Sequence, residues 1–175
     1  MPGSLSHLAA RFVDVLLARP LRRSEVEAVV HWLEPALAAI FFDQPAEDQR
    51  HGYHAALVVV GNGSYSPEMV EAALLHDVGK RHAHLGIVSR SLASMMIRLG
   101  LPLPPRMTVY RDHGLAAARE LANAGASRLS VEFAATHHGA KPPGIDTSTW
   151  TLLLEADQPP NAQSLVNAGI TSFIK

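Results

Sequence analysis

The chain has 175 residues, 47% hydrophobic and 18% charged, a globular composition long enough for one domain with a sizeable core. Its 15 basic and 16 acidic side chains leave a formal charge of −1, which argues against a broad nucleic-acid surface. Cysteine is absent, so disulfides and thiolate metal sites are excluded.

The segment Met1-Pro2-Gly3-Ser4-Leu5-Ser6-His7 lacks the basic start and apolar stretch of a signal peptide. Apolar runs such as Ala36–Phe42 are too short to span a bilayer. A cytoplasmic protein with no membrane partner is therefore expected, and the oligomeric state is open. Arg19, Arg22 and Arg23 form a local basic patch, best read as a solvated helix start.

Apolar spacing is helical almost throughout, with no strict alternation that signals a strand. A first helix is predicted over Leu5–Leu17, ending before Pro20. A second opens on the capping box Ser24-Glu25-Val26-Glu27 and lines Val26, Val29, Val30, Leu33 and Leu37 on one face. Pro35 kinks or restarts it. A third spans Ala46 to Val60 and stops at Gly61-Asn62-Gly63. The fourth has Ser66 as N-cap, Pro67 at the first helical position and Gly79 just past its end. Further helices fit Leu85–Leu99, His113–Asn123, Arg128–His137, Thr149–Ala156 and Gln163–Phe173. The breaks Leu101-Pro102-Leu103-Pro104-Pro105, Pro142-Pro143-Gly144 and Pro159-Pro160 read as loops inside one domain. Met95, Met96 and Ile97 hint at an adaptable apolar surface, although core packing is the commoner use. The expected fold is all-α: one compact bundle of seven to nine helices covering residues 1–175.

Ten histidines are unusual. His7, His31, His82 and His84 read as surface or loop residues. The others sit on apolar faces. Positions i, i+3, i+4 and i+7 share a helix face, so the stripe Met69, Ala72, Ala73 runs into His76. The adjoining stripe Val70, Ala73, Leu74 runs into Asp77. Trp150, Leu153 and Leu154 likewise lead to Asp157. An unpartnered buried carboxylate is costly and is normally paired, protonated or metal-bound. Buried cations are scarce in this sequence, so a metal is the simplest partner. His51 and His54 lie three apart on the third helix, His113 opens a helix, and His137 and His138 close one. Each alone reads more readily as a cap or surface residue than as a ligand, and Asp157 alone could be a solvated helix end. Imidazole and carboxylate donors suit divalent Fe, Mn, Co, Ni or Zn, with Mg if few histidines bind.

The order His51 … His76-Asp77 … Asp157 resembles the defining pattern of the HD superfamily of metal-dependent phosphohydrolases. Ala73-Leu74-Leu75-His76-Asp77-Val78-Gly79-Lys80 is similar to the family's central motif, and Asp48-Gln49-Arg50-His51 to its upstream histidine segment, which favours His51 over His54. The resemblance covers residues 48–157; helices within 5–40 and over 161–173 would pack onto that core. It implies an HD-type domain with a metal-activated water. His113 and His137-His138 resemble the extra ligands of two-metal members, for which Fe or Mn is favoured. Those members include the cyclic-dinucleotide phosphodiesterases named HD-GYP, for their Gly-Tyr-Pro signature. Here Gly139-Ala140-Lys141-Pro142-Pro143-Gly144 replaces that stretch, so their substrate is not implied.

The implied function is hydrolysis of a phosphomonoester or phosphodiester, a nucleotide or related small phosphorylated molecule. The implied ligands are His51, His76, Asp77, His113, His137, His138 and Asp157. Asp77 would bridge the ions or hold the nucleophilic water, and Lys80 would contact phosphate or the bridging carboxylate. Arg81, Arg111 and Lys141 are weaker phosphate candidates, read more readily as exposed loop charge. The same ligand order resembles HD-fold di-iron oxygenases, and a non-catalytic, metal-stabilised signalling or binding domain is a third reading.

Overall fold

The computed structural model describes residues 19–158; the helices expected over 5–17 and 161–173, and His7, lie outside them. Among the described residues the fold is all-helical. There are nine α-helices and one 3₁₀ segment. In chain order they are α1 (Arg23–Trp32), α2 (Pro35–Phe42), α3 (Ala46–Gly61), α4 (Pro67–Leu75), the 3₁₀ segment (Val78–Ala83), α5 (Ile87–Arg98), α6 (Pro105–Arg111), α7 (His113–Asn123), α8 (Arg128–Thr136) and α9 (Thr147–Asp157).

Helix α4 is the axis of the bundle, in contact with α1, α3, α8 and α9. Its composition explains that place: Met69, Val70, Ala72, Ala73, Leu74 and Leu75 are all buried, so it is apolar nearly all round. Phe41, Val59, Leu121, Phe133 and Leu153 from five neighbouring helices close the core around it.

Several boundaries follow local chemistry. Ser66 caps α4 by accepting from the Met69 N–H, with Pro67 at the first helical position. Pro35 does restart the chain as a separate helix. Helix α1 begins before the predicted Ser24 cap, because Glu25 accepts the Arg22 N–H at 2.6 Å. Arg50 of α3 holds the same carboxylate at 2.8 Å. The loop expected over residues 101–105 runs directly into α6, with Pro105 at the helix start, where its missing N–H costs no hydrogen bond.

Gly79 does not cap α4. It lies inside the 3₁₀ segment, where a Cβ would come within 2.1 Å of the His113 carbonyl oxygen. Glycine is required here for close approach rather than for a turn. That contact seats the 3₁₀ segment on the first turn of α7. On α5, Arg90 and Ala93 are the buried positions. Met95 and Ile97 are 47% and 38% exposed, so the core role expected for them does not hold: the buried positions of α5 lie in its first two turns, and its last turn is largely exposed. No helix among the described residues is long and apolar enough to cross a membrane.

Candidate metal centre

Five helices converge on Asp77. His51 comes from the second turn of α3, His76 and Asp77 from the end of α4, and His113 from the start of α7. His137 and His138 follow α8, and Asp157 ends α9. The ligand atoms of Asp77, His113, His137 and His138 lie within 4.8 Å of one another, as do those of His51, His76, Asp77 and Asp157. Each set is positioned to bind a metal ion, and Asp77 belongs to both.

The carboxylate of Asp77 divides its oxygens between the sets. Oδ1 lies 3.1 Å from His113 Nε2 and 3.5 Å from His137 Nε2. Oδ2 lies 3.4 Å from His76 Nε2 and 3.8 Å from His51 Nε2, and it accepts a hydrogen bond from Lys80 Nζ. Asp157 Oδ1 meets His76 Nε2 at 3.0 Å and His51 Nε2 at 3.2 Å. His54, three residues from His51 on α3, belongs to neither set.

The ring orientation has a local cause. His76 and His137 stand at the C-caps of α4 and α8, and His113 lies just past the end of α6. Helix C-termini leave carbonyls without intrahelical partners. Each ring points its Nδ1 at the carbonyl three residues back. His76 reaches Ala73 O at 2.9 Å, His113 reaches Tyr110 O at 2.6 Å, and His137 reaches Ala134 O at 3.0 Å. A carbonyl can only accept, so Nδ1 carries the proton in all three. The neutral tautomer therefore presents an Nε2 lone pair to the centre, the outer-shell arrangement of metal-binding histidines. Capping and ligation are not rival roles for these side chains; one nitrogen serves each.

A lone pair on Nε2 facing a lone pair on a carboxylate oxygen is repulsive unless a cation lies between. For His76 the proton is one such cation. Burial opposes charge on its ring, but Asp77 and Asp157 outweigh that and raise its pKa to about 10. For His137 there is none: its Nε2 is buried with no hydrogen-bond partner. A buried polar atom left this way calls for explanation, and a metal ligand role supplies one. Burial also disfavours ionisation of Asp77, yet Lys80, His76 and the His113 hydrogen bond hold its carboxyl well below the usual range. Asp157 is likewise lowered, the hydrogen bonds with His51 and His76 prevailing over burial. His138 is the most exposed of the group. Loss of hydration around its ring, then the neighbouring His137, push its pKa down to about 3, so it is a neutral donor at physiological pH.

Of the other cations, Arg81 departs from expectation, whereas Lys80 meets the carboxylate, one of its two expected contacts, and Arg111 and Lys141 are exposed as expected. Lys80 is 8% exposed, an interior ammonium tied to the carboxylate rather than a free phosphate contact. Arg81 is not loop charge: its side chain is 10% exposed and bridges Asp43, Glu120 and the Val78 carbonyl. Lys141 donates to the carbonyls of Ile145 and Pro142 within its own loop. Arg111 pairs with Asp112 at the surface, beside a cleft of about 270 Å³ that His137 and His138 also line.

Sequence reading missed the partners that orient these rings. The i−3 spacing of Ala73, Tyr110 and Ala134 was the available signal. Helix α6, which supplies the Tyr110 carbonyl, was hidden in the proline-rich stretch. Comparison with protein-family models, curated proteins and solved structures finds no match. The resemblance to the HD superfamily therefore stands on its motif residues alone.

Proposed function

We propose that this chain is a metal-dependent phosphohydrolase of the HD type, acting on a small phosphomonoester or phosphodiester with two divalent ions held on either side of Asp77. The supporting observation is the division of labour in that carboxylate, Oδ1 toward one histidine set and Oδ2 toward the other. Asp77 would serve both ions, with His51, His76 and Asp157 available to one position and His113, His137 and His138 to the other.

The chemistry such ions supply is Lewis acidity, which brings the pKa of a water from about 15.7 toward about 7 and offsets charge on the phosphoryl oxygens. The protein's own groups do the rest. The carbonyls of Ala73, Tyr110 and Ala134 hold three imidazoles in the ligating tautomer. Lys80 fixes the carboxylate of Asp77 and keeps it ionised. His138, neutral and at the exposed edge beside the cleft, is placed where substrate approaches. The cleft's small walls, among them Gly114, Ala134, Ala135, Gly139 and Ala140, suit a compact substrate.

The test is metal analysis of protein purified without added metal, with a panel of phosphoesters assayed under manganese, iron and cobalt. Two equivalents of metal and phosphoester hydrolysis, both lost in His76→Ala and Asp77→Ala, are expected. Turnover that requires iron and consumes dioxygen would replace hydrolysis with oxidative cleavage. Bound metal with no turnover, and a melting temperature that falls on chelation, would mark a metal-stabilised binding domain.

A further inference from the structure

We infer that the two positions load in a fixed order, the His113/His137/His138 position first and the His51/His76/Asp157 position second, with Lys80 setting the interval between them. This rests on the two-ion reading above and deepens it, because the metal concentration that completes the centre would then be set by a residue outside both ligand sets.

The two positions differ in what an incoming ion must displace. At the first, His137 Nε2 is buried and has no hydrogen-bond partner, and the backbone already orients the His113 and His137 rings through their Nδ1 atoms. An ion there gives the orphaned nitrogen a partner and displaces a single contact, that of His113 Nε2 with Asp77 Oδ1 at 3.1 Å, and His138 is the exposed member of the set. At the second, the donors are engaged. Asp157 Oδ1 is shared by His51 and His76 at 3.2 and 3.0 Å, and Asp77 Oδ2 holds the Lys80 ammonium. An ion entering here must separate Asp157 from two rings and compete with Lys80 for Oδ2. The ammonium is attached within the first turn after Asp77 and is buried, so it stays close to the ion it opposes. Like charges a few ångströms apart in a partly dry site repel strongly.

Donor chemistry separates the positions further. Three imidazoles and one carboxylate oxygen favour the later transition metals, whereas two imidazoles and two carboxylates also accommodate manganese or magnesium. Hydrolysis that needs both ions would then follow the occupancy of the second position. Lys80 would set the threshold of divalent metal at which turnover begins.

The experiment is titration of the chelator-stripped full chain with cobalt(II), followed by calorimetry and by the visible d–d absorption of the bound ion. Wild type should take two equivalents in separable steps. His138→Ala should weaken or remove the tighter step, and Asp157→Asn should remove the weaker step while leaving the tighter one intact. Lys80→Met, similar in shape but uncharged, should tighten the weaker step roughly tenfold or more and leave the tighter step in place. Far-ultraviolet circular dichroism verifies that each variant is folded, and a misfolded Lys80→Met is replaced by Lys80→Gln with the same expectation. Loss of the tighter step in Asp157→Asn, or a weaker step unchanged or weakened without the lysine charge, overturns the inference. Two inseparable equivalents overturn the order and leave the two-ion reading standing, whereas a single equivalent at every cobalt concentration overturns both.

Discussion

Gly79→Ala probes the joint that the centre depends on. The new Cβ would lie 2.1 Å from the His113 carbonyl oxygen and 2.9 Å from the Ala117 nitrogen. Both are backbone atoms, so no side chain can rotate away. Ordinary contact begins at 3.4 Å, so the 3₁₀ segment and α7 must part by about 1.3 Å. Asp77 lies two residues before Gly79, and His113 is the residue whose carbonyl is struck. The separation therefore acts on the Asp77 Oδ1 to His113 Nε2 distance, now 3.1 Å. Metal–ligand distances tolerate about 0.2 Å, several times less than this displacement. Overpacking of this kind costs about 1–3 kcal/mol, which for a chain of this size lowers the melting temperature by roughly 2–10 °C. We predict that drop, measured by differential scanning fluorimetry of chelated protein. Loss of at least one equivalent of metal, measured by elemental analysis, should accompany it. Gly139→Ala is the control: its Cβ would meet only the Thr136 oxygen, at 3.5 Å, and should change neither quantity. A Gly79→Ala protein with wild-type melting and full metal content would refute the reasoning.

His51→Ala should reduce the metal content while His54→Ala leaves it at the wild-type value, since only the former belongs to a ligand set; elemental analysis of the two variants decides. Asp77→Asn should destabilise the chelated protein by about 3–5 kcal/mol, because it removes the carboxylate that the buried Lys80 ammonium pairs with. Asp77→Asn/Lys80→Met should recover much of that loss in urea denaturation; no recovery would mean that the ion pair is not the source of the cost. The chelated protein should be most stable near about pH 6.5, because His138, lowered to about 3, makes stability fall as the pH drops below about 6.5. Asp77 and Asp157 have lowered folded values, so their contribution is complete above about pH 4 and fades as acid approaches those values. His76, raised to about 10, contributes fully below about pH 6.5 and progressively less as the pH climbs toward 10. A metal ion requires the His76 Nε2 lone pair, so binding should release a proton and protect better as the pH rises. Melting temperatures with and without chelator from pH 5 to 9 should therefore diverge upward, and curves that converge would count against it.

Much of this was legible because it is local. Ser66 and Pro67 mark the start of α4, and the apolar period of residues 113–123 gives α7 with both its ends. The candidate ligands were visible for the same reason: a histidine or aspartate that ends an apolar stripe must enter the core with the stripe. Features decided by tertiary contact were not visible. Gly79 reads as a helix stop in the sequence, and only the seat of α7 against it reveals a packing role. Arg81 reads as a loop charge until Asp43 and Glu120, far away in the chain, close around it. His137 and His138 are neighbours of the same type, yet one is buried and the other exposed. Helix α8 ends at Thr136, and where it ends relative to α7 decides which ring faces Asp77.

The charge of the assembled centre bears on what it would bind. Asp77 and Asp157 contribute two negative charges and Lys80 one positive, while the five imidazoles in their ligating form contribute none. The donor set alone thus has a net charge of −1, and two divalent ions would turn it to +3, held in a site whose low exposure weakens screening. A neutral substrate gains little from that field, and a cationic one is repelled. A phosphoester brings one or two negative charges and, in the transition state, concentrates charge on oxygens where preorganised positive charge is worth most. One ion would leave only +1, which a single hydroxide cancels. The electrostatic case for a phosphoryl substrate is therefore strongest if both positions fill, which ties the choice of reaction to the metal count.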